Sequence, residues 1–121
     1  MTDDLIKLAK RAVACKGWRW MQGMSNDQGQ TIDGVDLILG KAYCGEWDAD
    51  MTALPDLTDP ATLGCLLALV RVAYADPYAS VWYSSDHNHS GDRWSYYSKA
   101  FSFTGYATEA EALVGALEAA L

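Results

Sequence analysis

Three segments of this 121-residue chain place apolar side chains at helical spacing directly after a capping residue, and this pattern sets the tightest limit on the fold. In the middle segment, Asp59 is a good N-cap. Pro60 suits the first helical position, because its missing N–H would have no partner there. In the last segment, Thr108 and Glu111 have the spacing of a capping box. The first predicted helix begins at Thr2 or Asp3, the second at Asp59 and the third at Thr108.

Strand-like segments lie between these helices. The predicted strands cover 18–21, 34–39, 80–85 and 94–103, and 42–44 would extend the second strand or form a short third one. The connecting loops are short enough for hairpins, which favours antiparallel pairing. Aromatic residues on both faces of 94–103 favour a central strand covered on both sides. The order α-β-β-α-β-β-α predicts one α+β domain over 1–121, an antiparallel sheet of about four strands with three helices, as an α/β/α-type sandwich.

Acidic residues are concentrated in 27–64, which holds eight acids and one base, Lys41. The net charge of this segment, −7, equals that of the whole chain. Because nucleic-acid backbones favour Lys and Arg, the charge argues against direct nucleic-acid binding. We expect the segment to meet a basic surface on a partner protein. The residues expected to contact this partner are Asp27, Asp33, Asp36, Glu46, Asp48 and Asp50.

Neither a targeting signal nor a membrane span is expected from the sequence. The N-terminus is acidic where a signal peptide needs basic residues. The longest apolar-rich run, 61–75, is shorter than the ~20 residues that a membrane helix needs. The three cysteines are widely spaced and form no C-x-x-C pair, which favours reduced thiols. These features predict a cytoplasmic protein with no membrane partner.

No catalytic signature is present in the sequence. It has no G-x-S-x-G, no P-loop and no G-x-G-x-x-G, so we expect neither an enzyme nor a cofactor. His87 and His89 lie close to Asp86 and Asp92, and an H-x-H pair with a carboxylate can bind a transition metal. The same residues are typical of a polar hairpin loop, which is the favoured interpretation. A metal site at His87 and His89 is the weaker alternative.

The aromatic residues support a second interpretation, an oligomeric sponge for a signalling nucleotide. Five Trp and seven Tyr are more than a sheet of this size can hide. In this interpretation bases would stack on Trp18, Trp20 or Trp82. Phosphates would bind at Lys10, Arg11 or Arg19. The competing explanation for the aromatic residues is packing in the core and on strand faces. For the basic residues it is the solvated side of an amphipathic helix.

Three segments carry a resemblance to a known family: GWRWMQGM at 17–24, LPDLTDPATLG at 54–64 and ATEAEAL at 107–113. They resemble a group of small phage and prophage proteins, the phage ABA-sandwich domain group. The resemblance implies a three-layer α/β/α sandwich and a phage accessory protein, and it supplies no catalytic residues. Since a small acidic phage protein without a catalytic motif most often acts by binding a host component, we expect an anti-CRISPR-like inhibitor that binds an anti-phage defence factor. It would act in the cytoplasm of an infected bacterium, either as a single chain or as a homo-oligomer.

Overall fold

A computed structural model describes residues 2–36, 38–39, 41–45, 47–49, 53–85, 92–98 and 102–120. Within these residues, three helices are separated by two groups of three strands. In chain order, the elements are α1 (Asp3–Val13), β1 (Gly34–Asp36), β2 (Lys41–Cys44), β3 (Trp47–Asp48), α2 (Pro60–Ala73), β4 (Ser80–Ser85), β5 (Asp92–Tyr97), β6 (Ser102–Tyr106) and α3 (Glu109–Ala119). The prediction of an α+β fold is confirmed.

The helices begin where the capping residues predict. Thr2, Asp59 and Thr108 each accept a hydrogen bond from the backbone N–H three residues later, at 3.3, 3.0 and 3.1 Å. Glu111 completes the last cap, because its Oε2 accepts from the N–H of Ala107 at 3.0 Å. These contacts satisfy N–H groups that have no partner inside a helix. All three predicted helix starts are therefore confirmed.

The strands form two separate antiparallel sheets. The first sheet has the order β1-β2-β3, and the second has the order β4-β5-β6. Among the described residues the strands thus number six in two sheets, and the predicted single sheet of about four strands is not confirmed. Helix α3 contacts all three strands of the second sheet and also packs against α1 and α2. It is thus the element that joins the second sheet to the other helices.

Three predicted strands differ from the structure for local reasons. Residues 18–21 form no strand, and Trp18 and Trp20 pack edge to face on each other with ring centroids 5.5 Å apart. The strand predicted at 34–39 ends at Asp36, where a turn begins. The strand predicted at 94–103 is divided between β5 and β6. The two-residue strand β3 was not predicted, because two residues show no periodicity.

The core draws on every helix and on both sheets. It includes Leu8 of α1, Leu66 of α2, Leu113 of α3, Ala42 of the first sheet and Tyr96 of the second. The second sheet approaches α3 closely at a glycine. A Cβ on Gly115 would lie 2.8 Å from Cε1 of Tyr106, so only glycine leaves room for this ring. Among the described residues, no helix has the length and apolar content needed to cross a membrane.

Candidate functional site

The first sheet has one face toward the core and one toward solvent. Ala42 is buried, and its partner Val35 packs against the core. Because side chains alternate along a strand, the residues next to Ala42 in β2 point the other way. Lys41 is paired with Asp36 and Tyr43 with Asp48, so this outer face carries two of the predicted partner-binding acids.

The turn that follows β1 exposes apolar side chains beside these acids. Oδ1 of Asp36 accepts hydrogen bonds from the N–H groups of Ile38 at 2.9 Å and Leu39 at 3.1 Å. Such an Asx turn fixes the backbone around the carboxylate. Ile38 is 94% exposed and Leu39 is 62% exposed. The sequence interpretation missed these two residues by placing them in a strand, although the aspartate before them is a signal for a turn.

The other described acids of the predicted site are also exposed and tied to loops. Oδ2 of Asp33 accepts from the N–H of Gly45 at 2.5 Å, and Oδ1 of Asp27 accepts from the N–H of Leu54 at 3.3 Å. Asp48 forms an ion pair with Lys41, with 3.9 Å between Oδ2 and Nζ. The hydrogen bond from Gly45 fixes Asp33 at the first sheet, and the hydrogen bond from Leu54 fixes Asp27 on a neighbouring loop. Glu46 and Asp50, the remaining two predicted contacts, lie outside the described residues.

The predicted phosphate-binding residues Lys10, Arg11 and Arg19 have different surroundings in the structure. Nε and Nη2 of Arg11 donate to the two carboxylate oxygens of Glu118, at 3.1 and 2.5 Å. The hydrogen bond to Glu118 raises the pKa of Arg11, so the guanidinium is already engaged with an anion. Lys10 is exposed on α1. Arg19 instead lines a shallow cavity of about 250 Å³ with Trp20, Met21, Gln22 and Val35.

The predicted stacking residues differ in exposure. Trp20 is buried and Trp18 is half-buried against it, so the Trp20 ring does not offer a face to a ligand. Trp82 is 53% exposed on β4 and stacks on Tyr97 of β5, with ring centroids 6.2 Å apart and planes 13° from parallel. Tyr97 was not among the predicted site residues.

The described residues provide neither a reactive thiol at Cys15 or Cys65 nor a cluster of metal ligands. Burial raises the pKa of the Cys15 and Cys65 thiols, which keeps both protonated at neutral pH and poorly nucleophilic. Within the part of the chain that the structure describes, no group of three or more His, Cys, Asp or Glu side chains could hold a metal ion. His87 and His89 lie outside the described residues, and a metal site there stays a prediction.

Comparison with known protein families, curated proteins and solved structures finds no match for this chain.

Proposed function

We propose that this protein is a phage-encoded accessory protein that binds and antagonises a bacterial anti-phage defence factor. Its binding surface is the outer side of the first sheet, formed by the Ile38–Leu39 turn with Asp33, Asp36 and Asp48. This surface would occupy a basic nucleic-acid site on the host protein, as anti-CRISPR-like inhibitors do. The observation that carries the proposal is that Ile38 is exposed in a turn whose backbone donates a hydrogen bond to the carboxylate of Asp36.

Apolar and acidic groups have separate roles in such a contact. Exposed apolar side chains that become buried supply much of the affinity at a protein interface. Carboxylates around them attract a basic partner over a longer range and orient it during approach. Ile38 and Leu39 would supply the first contribution. Asp33, Asp36 and Asp48 would supply the second.

The carboxylates are positioned before any partner arrives. Asp33 and Asp36 each use one oxygen to accept from backbone N–H groups. Among the described residues, the second oxygen of each makes no hydrogen bond, which leaves an acceptor for a partner's Arg or Lys. A group already fixed in its bound position loses less conformational entropy on binding. This arrangement supports recognition of a basic surface by a rigid set of charges.

The phage origin is part of the proposal and depends on the family resemblance of 17–24, 54–64 and 107–113. The α/β/α layer order of that group belongs to the same proposal. No catalytic step is needed, because occupying the nucleic-acid site of a defence factor blocks it directly. The place of action would be the cytoplasm of the infected bacterium.

A pulldown from a nuclease-treated bacterial lysate tests the charge contribution. The test variant combines Asp33→Asn, Asp36→Asn and Asp48→Asn, which removes three charges and keeps an oxygen that can accept the same backbone hydrogen bonds. The matched control combines Asp3→Asn, Asp4→Asn and Glu109→Gln, which removes three charges from the starts of α1 and α3. We expect the wild type and the control to retain a nucleic-acid-binding protein, and the test variant to lose it.

The salt dependence of that binding separates charge from apolar contact. Retention by the wild type should fall steeply as salt rises, because the charge contribution is screened. Ile38→Ser should weaken binding at every salt concentration, since the apolar contact is not screened. Equal retention of the same partner by the wild type and the three-Asn variant would contradict the proposal.

A further inference from the structure

The two outer edges of the second sheet differ in regularity. β4 pairs with β5 through six consecutive residues in unbroken register, from Ser80↔Tyr97 to Ser85↔Asp92. On the other side, the register between β5 and β6 shifts between Trp94 and Tyr96. β6 also contains Gly105 at φ +95°, a left-handed backbone conformation. Shifts and glycines of this kind are common ways in which proteins make a sheet edge unsuitable for pairing.

β4 lacks two features that often protect an edge strand, charged residues and proline. Its sequence, SVWYSS, contains no charged residue and no proline. Among the described residues, no strand pairs with its outer edge. Trp82 and Tyr83 point to opposite faces and are 53% and 50% exposed. The backbone N–H and C=O groups along this edge are therefore flanked by large rings on both faces.

We propose that β4 pairs with β4 of a second copy of this chain, antiparallel and about a twofold axis, so that the two second sheets become one continuous six-stranded sheet. An antiparallel strand edge is complementary to itself under such an axis, which needs no additional partner. This interface is independent of the proposed function, because it uses the second sheet and not the first.

The distribution of charge favours a second copy as the occupant. Two chains of net charge −7 repel each other, so they associate best where neither carries charge. The six residues of β4 form such a neutral strip. The acids of the first sheet lie on different strands, β1 and β3, and their loops. A strongly basic partner would have no countercharge to meet on β4.

The contact area sets the strength of the pairing. A Trp or Tyr ring buries about 150–250 Å², so the exposed halves of Trp82 and Tyr83 on both copies offer roughly 400 Å² together with their main-chain hydrogen bonds. Stable interfaces bury about 1,200–2,000 Å². The pairing is therefore a weak, reversible dimer that depends on protein concentration.

Sedimentation velocity of the full chain, from micromolar to millimolar concentration, tests the dimer. The wild type should shift from the monomer mass of 13.2 kDa toward twice that mass. Trp82→Lys places like charges across the twofold axis and should raise the dissociation constant at least about tenfold. Tyr97→Lys is the matched control: it adds the same charge on the same face, but on the central strand and not on the edge. It should change the constant by less than about twofold.

Hydrogen exchange locates the contact independently of any variant. In an edge strand, alternate amides point away from the neighbouring strand, so alternate amides of Ser80–Ser85 should exchange more slowly as protein concentration rises. Amides of β6 should not change. A wild-type protein that stays monomeric throughout overturns the proposal. So does equal disruption by Trp82→Lys and Tyr97→Lys, which would indicate contact through the sheet face.

Discussion

The first and second sheets each have three antiparallel strands, but they differ in what lies against them and in what they expose. Helix α3 packs against the second sheet, and Tyr96 on the central strand of that sheet is fully buried. The first sheet is built from strands of two to four residues and carries charged residues on its outer face. Its central tyrosine, Tyr43, lies only partly buried.

This difference separates stability from recognition. Burial of apolar area is the main source of folding free energy, and the second sheet contributes the fully buried ring of Tyr96 to it. The first sheet keeps its shape through backbone hydrogen bonds to Asp33 and Asp36, which leaves its outer side chains available for contact. Substitutions in the second sheet should therefore affect unfolding, whereas substitutions on the first should affect binding.

Replacing the central tyrosine of each sheet should give the largest contrast. Tyr96→Ala removes a buried ring that contacts Tyr74, with centroids 5.3 Å apart, and should lower the free energy of unfolding by about 3–5 kcal/mol. Tyr43→Ala removes a half-buried ring on the outer face and should cost less than about 1 kcal/mol. Urea denaturation followed by circular dichroism measures both. Similar losses for the two variants would show that the sheets share the stabilising burial equally.

Alkaline pH should act mainly on the tyrosines around α3 and the second sheet. Burial raises the pKa of Tyr74, Tyr96 and Tyr106, because the folded protein disfavours the phenolate. As pH rises above about 10, the unfolded chain loses these protons first. The contribution of these three tyrosines to the free energy of unfolding should therefore be constant below that range and fall as pH rises through their folded pKa values.

A single substitution can localise this alkaline effect. Tyr106→Phe removes one of the three groups and should reduce the loss of stability between about pH 9 and pH 11, measured by urea denaturation. Tyr78→Phe is the matched control, because that ring is exposed. An identical loss in the wild type and in Tyr106→Phe would exclude this tyrosine as a source of the alkaline instability.

Asp36 allows the structural and electrostatic roles of the first sheet to be separated. Asp36→Ala removes the acceptor for two backbone N–H groups and should lower the free energy of unfolding by about 1 kcal/mol. Asp36→Asn keeps an acceptor oxygen and should leave stability close to that of the wild type. Both variants remove the same charge. If Asn destabilises as much as Ala, the charge of Asp36, and not its turn, supports the sheet.

The helices could be predicted from the sequence because their starts are local. Asp59 and Thr108 accept from N–H groups three residues away, so a few neighbouring residues contain all the information needed. The division of 94–103 could not be found in this way, because its aromatic pattern continues across the break. Trp18 and Trp20 alternate with polar residues as in a strand, but 18–21 form none. Strand pairing depends on distant residues, which a local pattern does not contain.

The candidate site was predictable in its charge but not in its geometry. Counting acids identified Asp33, Asp36 and Asp48 as part of a segment of net charge −7. Their orientation comes from backbone N–H groups as far away as Gly45. Ile38 is exposed because β1 ends at Asp36. The sequence does not show where β1 ends, and its apolar run favours a longer strand.

The ion pair between Arg11 and Glu118 should give the smallest effect, although it joins α1 to the helix that carries the second sheet. Both side chains are more than a third exposed, so water and salt screen their attraction. A double-mutant cycle with Arg11→Gln and Glu118→Gln should give a coupling of about 0.5 kcal/mol. The coupling should vanish in high salt. A coupling that persists in high salt would mean that this ion pair, as well as apolar burial, holds α3 in place. The second sheet would then also depend on charged side chains, as the first sheet does.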